Sequence, residues 1–121
     1  MTGPSGAARD SGLDDEDRKL VVLARGALGR TQSGAGAAVR DTDGRTYAAG
    51  EVSLAALQLT ALQAAIAAAL SSGAEGFEAA AVVGSAAETD PGIAALHELS
   101  SGATRILARP DGTVTEVHRH G

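Results

Sequence analysis

The spacing of apolar positions changes along the chain, and each change marks an element. Leu20, Leu23, Ala24, Ala27 and Leu28 recur at the interval of one helix face. The carboxylates Asp14, Asp15, Glu16 and Asp17 lie just before them, at the positive end of that helix, and read as capping residues rather than as a metal site. Gly29 and the segment 33–36 end the helix. Two short extended stretches follow, Ala37–Arg40 and Arg45–Ala49. They flank Asp41-Thr42-Asp43-Gly44, and Asp-Gly between such stretches predicts a hairpin in which Asp41 and Asp43 form the turn. Ser53 is placed to cap a helix running to Leu70, with Gly73 closing it in a left-handed conformation. That helix is apolar nearly all round, which calls for cover on more than one side.

Phe77–Gly84 is a short apolar run bounded by glycines, the pattern of a central strand covered on both faces. Thr89 or Asp90 then caps a short helix with Pro91 in its first turn and Ile93, Leu96 and Leu99 pointing inward. His97 falls close to that apolar face, where packing is the ordinary role and ligation the rarer one. Thr104–Arg109 and Thr113–Val117 flank Pro110-Asp111-Gly112, which repeats the turn chemistry of the first hairpin. The order helix, strand, strand, helix, strand, helix, strand, strand predicts a mixed sheet with helices on both faces. The helix 53–70 would be the crossover to the central strand.

Composition bounds this picture. With 121 residues and 44% hydrophobic content the chain is one domain with one modest core. Tyr47 and Phe77 are its only aromatics, and Ala supplies much of the apolar count. At roughly 25 cal/mol per Å² of buried apolar surface, such a core is marginal alone and self-association is expected. Residues 1–13, rich in Gly, Ser, Pro and Ala, read as a disordered arm, leaving 14–121 as the domain. A net charge of −5 and basic residues scattered along the chain leave no nucleic-acid footprint. Nine of the ten basic residues are Arg, a sign of GC-rich coding bias. No stretch reads as a membrane span or a secretory signal, so a cytoplasmic location is expected.

Candidate chemistry is sparse. The absence of cysteine removes disulfides, thiolate metal sites and a Cys nucleophile together. Gly34-Ala35-Gly36 lacks the third glycine and the strand-before-helix context of a dinucleotide loop. Ser71, Ser72, Ser100 and Ser101 lie beside glycines near helix ends and read as caps and turns. His118 and His120 alternate at strand spacing and share one face, which makes a C-terminal metal pair conceivable but weak.

The segments GAGAAVRDTDGRTYAAG, LQLTALQAAIAAALSSGAEGFEAAAVVG and DPGIAALHEL, in that order, resemble the small tetrameric cytidine deaminases over nearly the whole chain beyond the arm. The resemblance implies a three-layer α/β fold with a mixed five-stranded sheet, and a homo-oligomer. In that family the long helix opens with Cys-Ala-Glu and the short one with Pro-Cys-x-x-Cys; three thiolates hold zinc and the glutamate moves protons to the ring. Here the first motif reads Thr60-Ala61-Leu62. The second lies in Asp90-Pro91-Gly92-Ile93-Ala94, so Pro91 and Ala94 stand in a region without a thiolate. The family's ribose-binding Asn-x-Glu becomes Glu51-Val52-Ser53. Leu62 cannot transfer a proton and fills space where a polar ring would sit. The leading expectation is a non-catalytic, accessory or scaffold member of the family, without cofactor or metal and with an unidentified protein partner. Two alternatives stand beside it: an enzyme drawing ligands from Glu51, His97 or a neighbouring subunit, and a nucleoside-binding module using Glu51, Ser53 or His97 without turnover.

Overall fold

The structure, a computed structural model, describes residues 13–84 and 87–119. Helix α1 spans Asp15–Thr31. Asp14 caps it by accepting the Asp17 N–H at 2.8 Å, and the first turn carries the expected carboxylates. Its buried stripe runs through Leu20, Val21, Ala24 and Ala27, whereas Leu23, expected inside, is 38% exposed. Buried Asp17 and partly buried Leu28 lie on the Val21 side of the line through Leu20, Ala24 and Ala27, so the covered face is centred toward Val21 and leaves Leu23 at its far edge. The helix continues past Gly29 to Thr31, and Gln32 ends it with φ +53°.

Strands β1 (Ala35–Asp41) and β2 (Thr46–Gly50) form the first hairpin. Asp41 is buried in its turn, where Oδ1 accepts the N–H groups of Asp43 at 3.0 Å and Arg45 at 2.8 Å. The expected helix 53–70 is shorter than its apolar run. Val52–Ser53 (β3) and Gln58–Leu59 (β4) pair as a small hairpin, and helix α2 spans only Ala61–Ser71. Ser53 is thus a strand residue and Thr60 the cap. Thr60 has the better partner three residues on: Gln63 N–H donates to Thr60 Oγ1 at 3.1 Å, and Thr60 N–H donates to Gln63 Oε1 at 3.0 Å. Ser53 has only Ala56 at that spacing. Gly73 follows the C-terminus of α2 with φ +103°, as expected.

Strand β5 (Phe77–Gly84) is central, a 3-10 turn (Ala87–Thr89) leads to helix α3 (Gly92–Leu99), and β6 (Thr104–Ala108) and β7 (Val114–His118) complete the sheet. The order is β2-β1-β5-β6-β7, with β5 and β6 parallel and the other neighbours antiparallel. On one face Val39, Ala80, Val82 and Leu107 pack with Leu62, Ile66 and Ala69 of α2 and Leu96 of α3. On the other, Ala38, Ala79, Ala81, Val83 and Ile106 pack with Leu20, Val21 and Ala24 of α1. This is the expected α/β fold, three layers around a mixed five-stranded sheet. Within α3, Leu96 is buried and Ile93 half-buried, while Leu99, expected inside, is 45% exposed at the helix end.

Small residues let the layers approach closely. A Cβ on Gly36 would lie 2.1 Å from the Ala24 carbonyl oxygen, so α1 crosses β1 with backbone against backbone. Leu13 is 6% exposed and packs with the α1 side of the core, so the folded domain includes it; residues 1–12 of the arm lie outside the described residues. Arg40 of β1 bridges Asp17 at 2.9 Å and Glu78 at 2.8 Å. Burial opposes its charge, but the hydrogen bonds it donates to those two carboxylates hold the guanidinium above its ordinary value. Among the described residues no helix is long and apolar enough to cross a membrane.

Candidate functional site

The N-termini of α2 and α3 converge, and Asp90 stands between them. Its Oδ1 accepts the Thr60 hydroxyl at 2.5 Å and the Gly92 N–H at 2.8 Å, while Oδ2 faces the Leu62 N–H at 3.4 Å. Two positive helix ends and a hydroxyl thus share one carboxylate that is 8% exposed. Beside it, Leu62 is fully buried, and a Cβ on Gly92 would lie 2.8 Å from both Cβ and Cγ of Leu62. Leu62 occupies the space that any side chain at position 92 would need. Ala61 is buried as well, Pro91 is exposed, and Ala94 faces solvent on the outer side of α3.

Next to this junction, Glu51, Val52, Ser53, Gln58, Leu59, Thr60 and Gln63 line an open cleft of about 440 Å³. Glu51 is held at its edge, accepting the Gly34 N–H at 3.0 Å, while its own N–H donates to Ser33 Oγ at 3.3 Å. The structure therefore brings Glu51, Ser53 and Thr60 to one place. His97 is not among the cleft walls; it lies in the last turn of α3, its Nε2 3.5 Å from an Arg105 nitrogen. His118 meets Glu116, its neighbour two residues back on the same strand face, and His120 lies outside the described residues.

Sequence reasoning treated Asp90 as a helix cap and missed that it joins two helices. No local pattern signals a contact across the 30 positions between Thr60 and Asp90. It also missed Gln63, although Thr60-Ala61-Leu62-Gln63 carries the Ser/Thr-x-x-Gln capping signature. Gly92 went unnoticed because a missing side chain carries meaning only when its neighbours are known.

A three-layer α/β domain whose two helix N-termini converge on one point beside an open cleft has the architecture of the nucleoside deaminases. The chain belongs to the cytidine deaminase-like family, whose profile matches residues 13–112. Among solved structures it is similar to the cytidine deaminase of Burkholderia pseudomallei, with 25% identity and a TM-score of 0.70 over 84% of this chain and 90% of that one. The cytidine deaminase of Mycobacterium leprae (21% identity, TM-score 0.59) covers the same 84% of this chain and 90% of its own. A mutant cytidine deaminase of Mycobacterium tuberculosis (21%, TM-score 0.62) covers 84% and 88%. These last two share the fold. Among curated protein sequences nothing matches.

The zinc that this family implies does not fit the residues at the junction. The chain contains no cysteine, the Asp90 carboxylate is already engaged by a hydroxyl and a backbone N–H, and Leu62 closes the space above Gly92. Among the described residues no group of three or more His, Asp or Glu side chains is arranged to hold a metal.

Proposed function

We propose that this chain is a non-catalytic member of the cytidine deaminase-like family that works in the cytoplasm through what it assembles with. The supporting observation is the junction itself: Asp90 ties the two helix N-termini together, and Leu62 seated on Gly92 fills the space where reacting groups would be needed. Thr60, Ala61, Leu62, Pro91 and Ala94 are, on this reading, the altered site positions. Activity is tested by incubating purified protein with cytidine and deoxycytidine and measuring zinc by elemental analysis. The expected outcome is no deamination above the uncatalysed rate and no stoichiometric zinc. Uridine formation that scales with protein, or about one retained zinc per chain, overturns the proposal.

Assembly with further copies of the chain is part of the same reading. No charged residue occurs between Glu51 and Glu75. Within that stretch Leu54 is 61% exposed, Leu57 49% and Leu70 42%, and Ala67 and Ala68 of α2 face solvent. An uncharged surface bearing exposed leucines has the composition of an interface centre.

One observation favours a second reading, nucleoside binding without turnover. The cleft keeps a carboxylate, a serine, a threonine and two glutamines along its walls. Thermal stabilisation by a panel of nucleosides, abolished by Ser53→Ala or Gln58→Ala, distinguishes this reading from pure assembly.

A further inference from the structure

Helix α1 has an outer face that no other described element covers. Its sheet side holds Leu20, Val21, Ala24 and Ala27. On the opposite side Asp15, Lys19, Val22, Gly26 and Gly29 follow at alternating steps of four and three, which places them along one line of the helix. Leu23 and Arg30 run beside that line. Val22 is 64% exposed, the most exposed large apolar side chain among the described residues, and Leu23 next to it is 38% exposed. Beyond them the face is flat. A Cβ on Gly29 would meet nothing within 4 Å, and one on Gly26 would lie 3.4 Å from the movable end of Arg30. No described neighbour therefore requires glycine at either position, where alanine would favour the helix.

Charge is divided along the same face. Residues 14–19 hold four acids and two bases, whereas residues 20–31 hold two bases, Arg25 and Arg30, and no acid. Asp15 meets Arg18 of its own turn at 3.0 Å, yet its side chain stays 90% exposed. Arg30 forms no ion pair with a described residue. Asp15 precedes Val22 by the same number of residues as Arg30 follows Leu23, so each stands about 11 Å along the axis from the midpoint between Val22 and Leu23. A second α1 laid antiparallel across that midpoint sets Val22 against Leu23, Lys19 over Gly26 and Asp15 against Arg30. A parallel copy would set acid on acid and base on base. The face is thus complementary to itself, as a two-fold contact requires. We propose that the outer face of α1 docks a second copy of this chain, antiparallel, about a two-fold axis at Val22 and Leu23. Helices α1 and α2 cover opposite faces of the sheet, so this contact is separate from the exposed leucines of 54–70 and stands whether or not those assemble.

The test is sedimentation velocity of full-length Leu70→Glu, whose α2 surface is charged, over a dilution series in low and high sodium chloride. A dimer is expected at high protein concentration, and salt should weaken it because its outer pairs are exposed. Asp15→Arg and Arg30→Asp should each raise the dissociation constant about tenfold, and the two together should return it toward the starting value. Gly26→Gln fills the flat line without changing charge. It should abolish the dimer while the melting temperature of dilute protein stays equal or rises, since glutamine is the better helix former. Hydroxyl-radical labelling of Leu23 should increase on dilution. A monomer at every concentration, a dimer untouched by Gly26→Gln, or a double charge variant no tighter than its singles overturns the proposal. So does Leu23 labelling that is equally weak in dilute and concentrated protein, which would assign the cover to residues 1–12 of the same chain. If Leu70→Glu does not fold, the comparison is made on the parent: Gly26→Gln should lower the mass of its largest species, and an unchanged mass overturns the proposal.

Discussion

At the scale of single residues, Leu62 and Gly92 are one unit. A Cβ at position 92 would come within 2.8 Å of Leu62, a distance that a fully packed neighbour cannot absorb. Leu62→Ala should therefore cost about 2–5 kcal/mol through the cavity it leaves. Gly92→Cys should cost about 1–3 kcal/mol through overpacking. The two together should cost less than their sum, because the cavity accepts the new side chain. Urea unfolding of the parent, both single variants and the double variant measures this coupling, and strict additivity would show that the two residues do not share space. Asp90 is the other half of the junction. Asp90→Ala leaves the buried Gly92 N–H without its acceptor and should cost about 1–3 kcal/mol; a change in midpoint near zero in the same experiment would contradict the bridging role.

At the scale of elements, α2 is the informative one. Its inner positions Ala61, Leu62, Ala65, Ile66 and Ala69 are buried within the chain, while Ala67, Ala68 and Leu70 lie outside. Charges on the two sides should behave differently. Ala68→Glu or Leu70→Glu should reduce the mass seen by light scattering while leaving the circular dichroism of the fold intact. Ala65→Glu should unfold the chain. A parent protein that runs as an 11.9 kDa monomer at high concentration would remove the basis for this contrast. The elements were largely legible in the sequence because period, cap and turn are local signals: the hairpin around Asp41 and Gly44, the apolar run of β5 and the carboxylate-capped α1 were all read there. The start of α2 was not, since a run that is apolar at most positions hides a hairpin. Gln63 three residues after Thr60 was the one local sign of the true start, and the reciprocal Thr60–Gln63 bonds are its outcome. Leu23 and Leu99 were misplaced because which apolar residue at a stripe's edge is covered depends on the neighbouring layer. Of the positions singled out in the sequence, Thr60 and Leu62 stand at the junction, whereas Asp90 and Gly92 acquire meaning only through contacts distant in sequence.

At the scale of the whole molecule, alanine and glycine set the spacing between layers. Ala37, Ala38, Ala79, Ala80 and Ala81 are fully buried in the two central strands, and Gly36 brings α1 onto β1. Gly36→Ala should therefore separate α1 from the sheet along its length, with a loss of more than about 3 kcal/mol that thermal unfolding would register. Across the same interface, Asp17 is buried between Arg40 and Arg119. Asp17→Asn leaves Arg40 with Glu78 as its one remaining carboxylate and should cost about 1–3 kcal/mol, the range for weakening a charge-assisted hydrogen bond. The interlock of Leu62 with Gly92 also limits which sequences the fold accepts. A side chain introduced at position 92 collides with Leu62, and a smaller residue at position 62 leaves a void over Gly92, so either change alone lowers stability. The two positions are free to vary only as a pair.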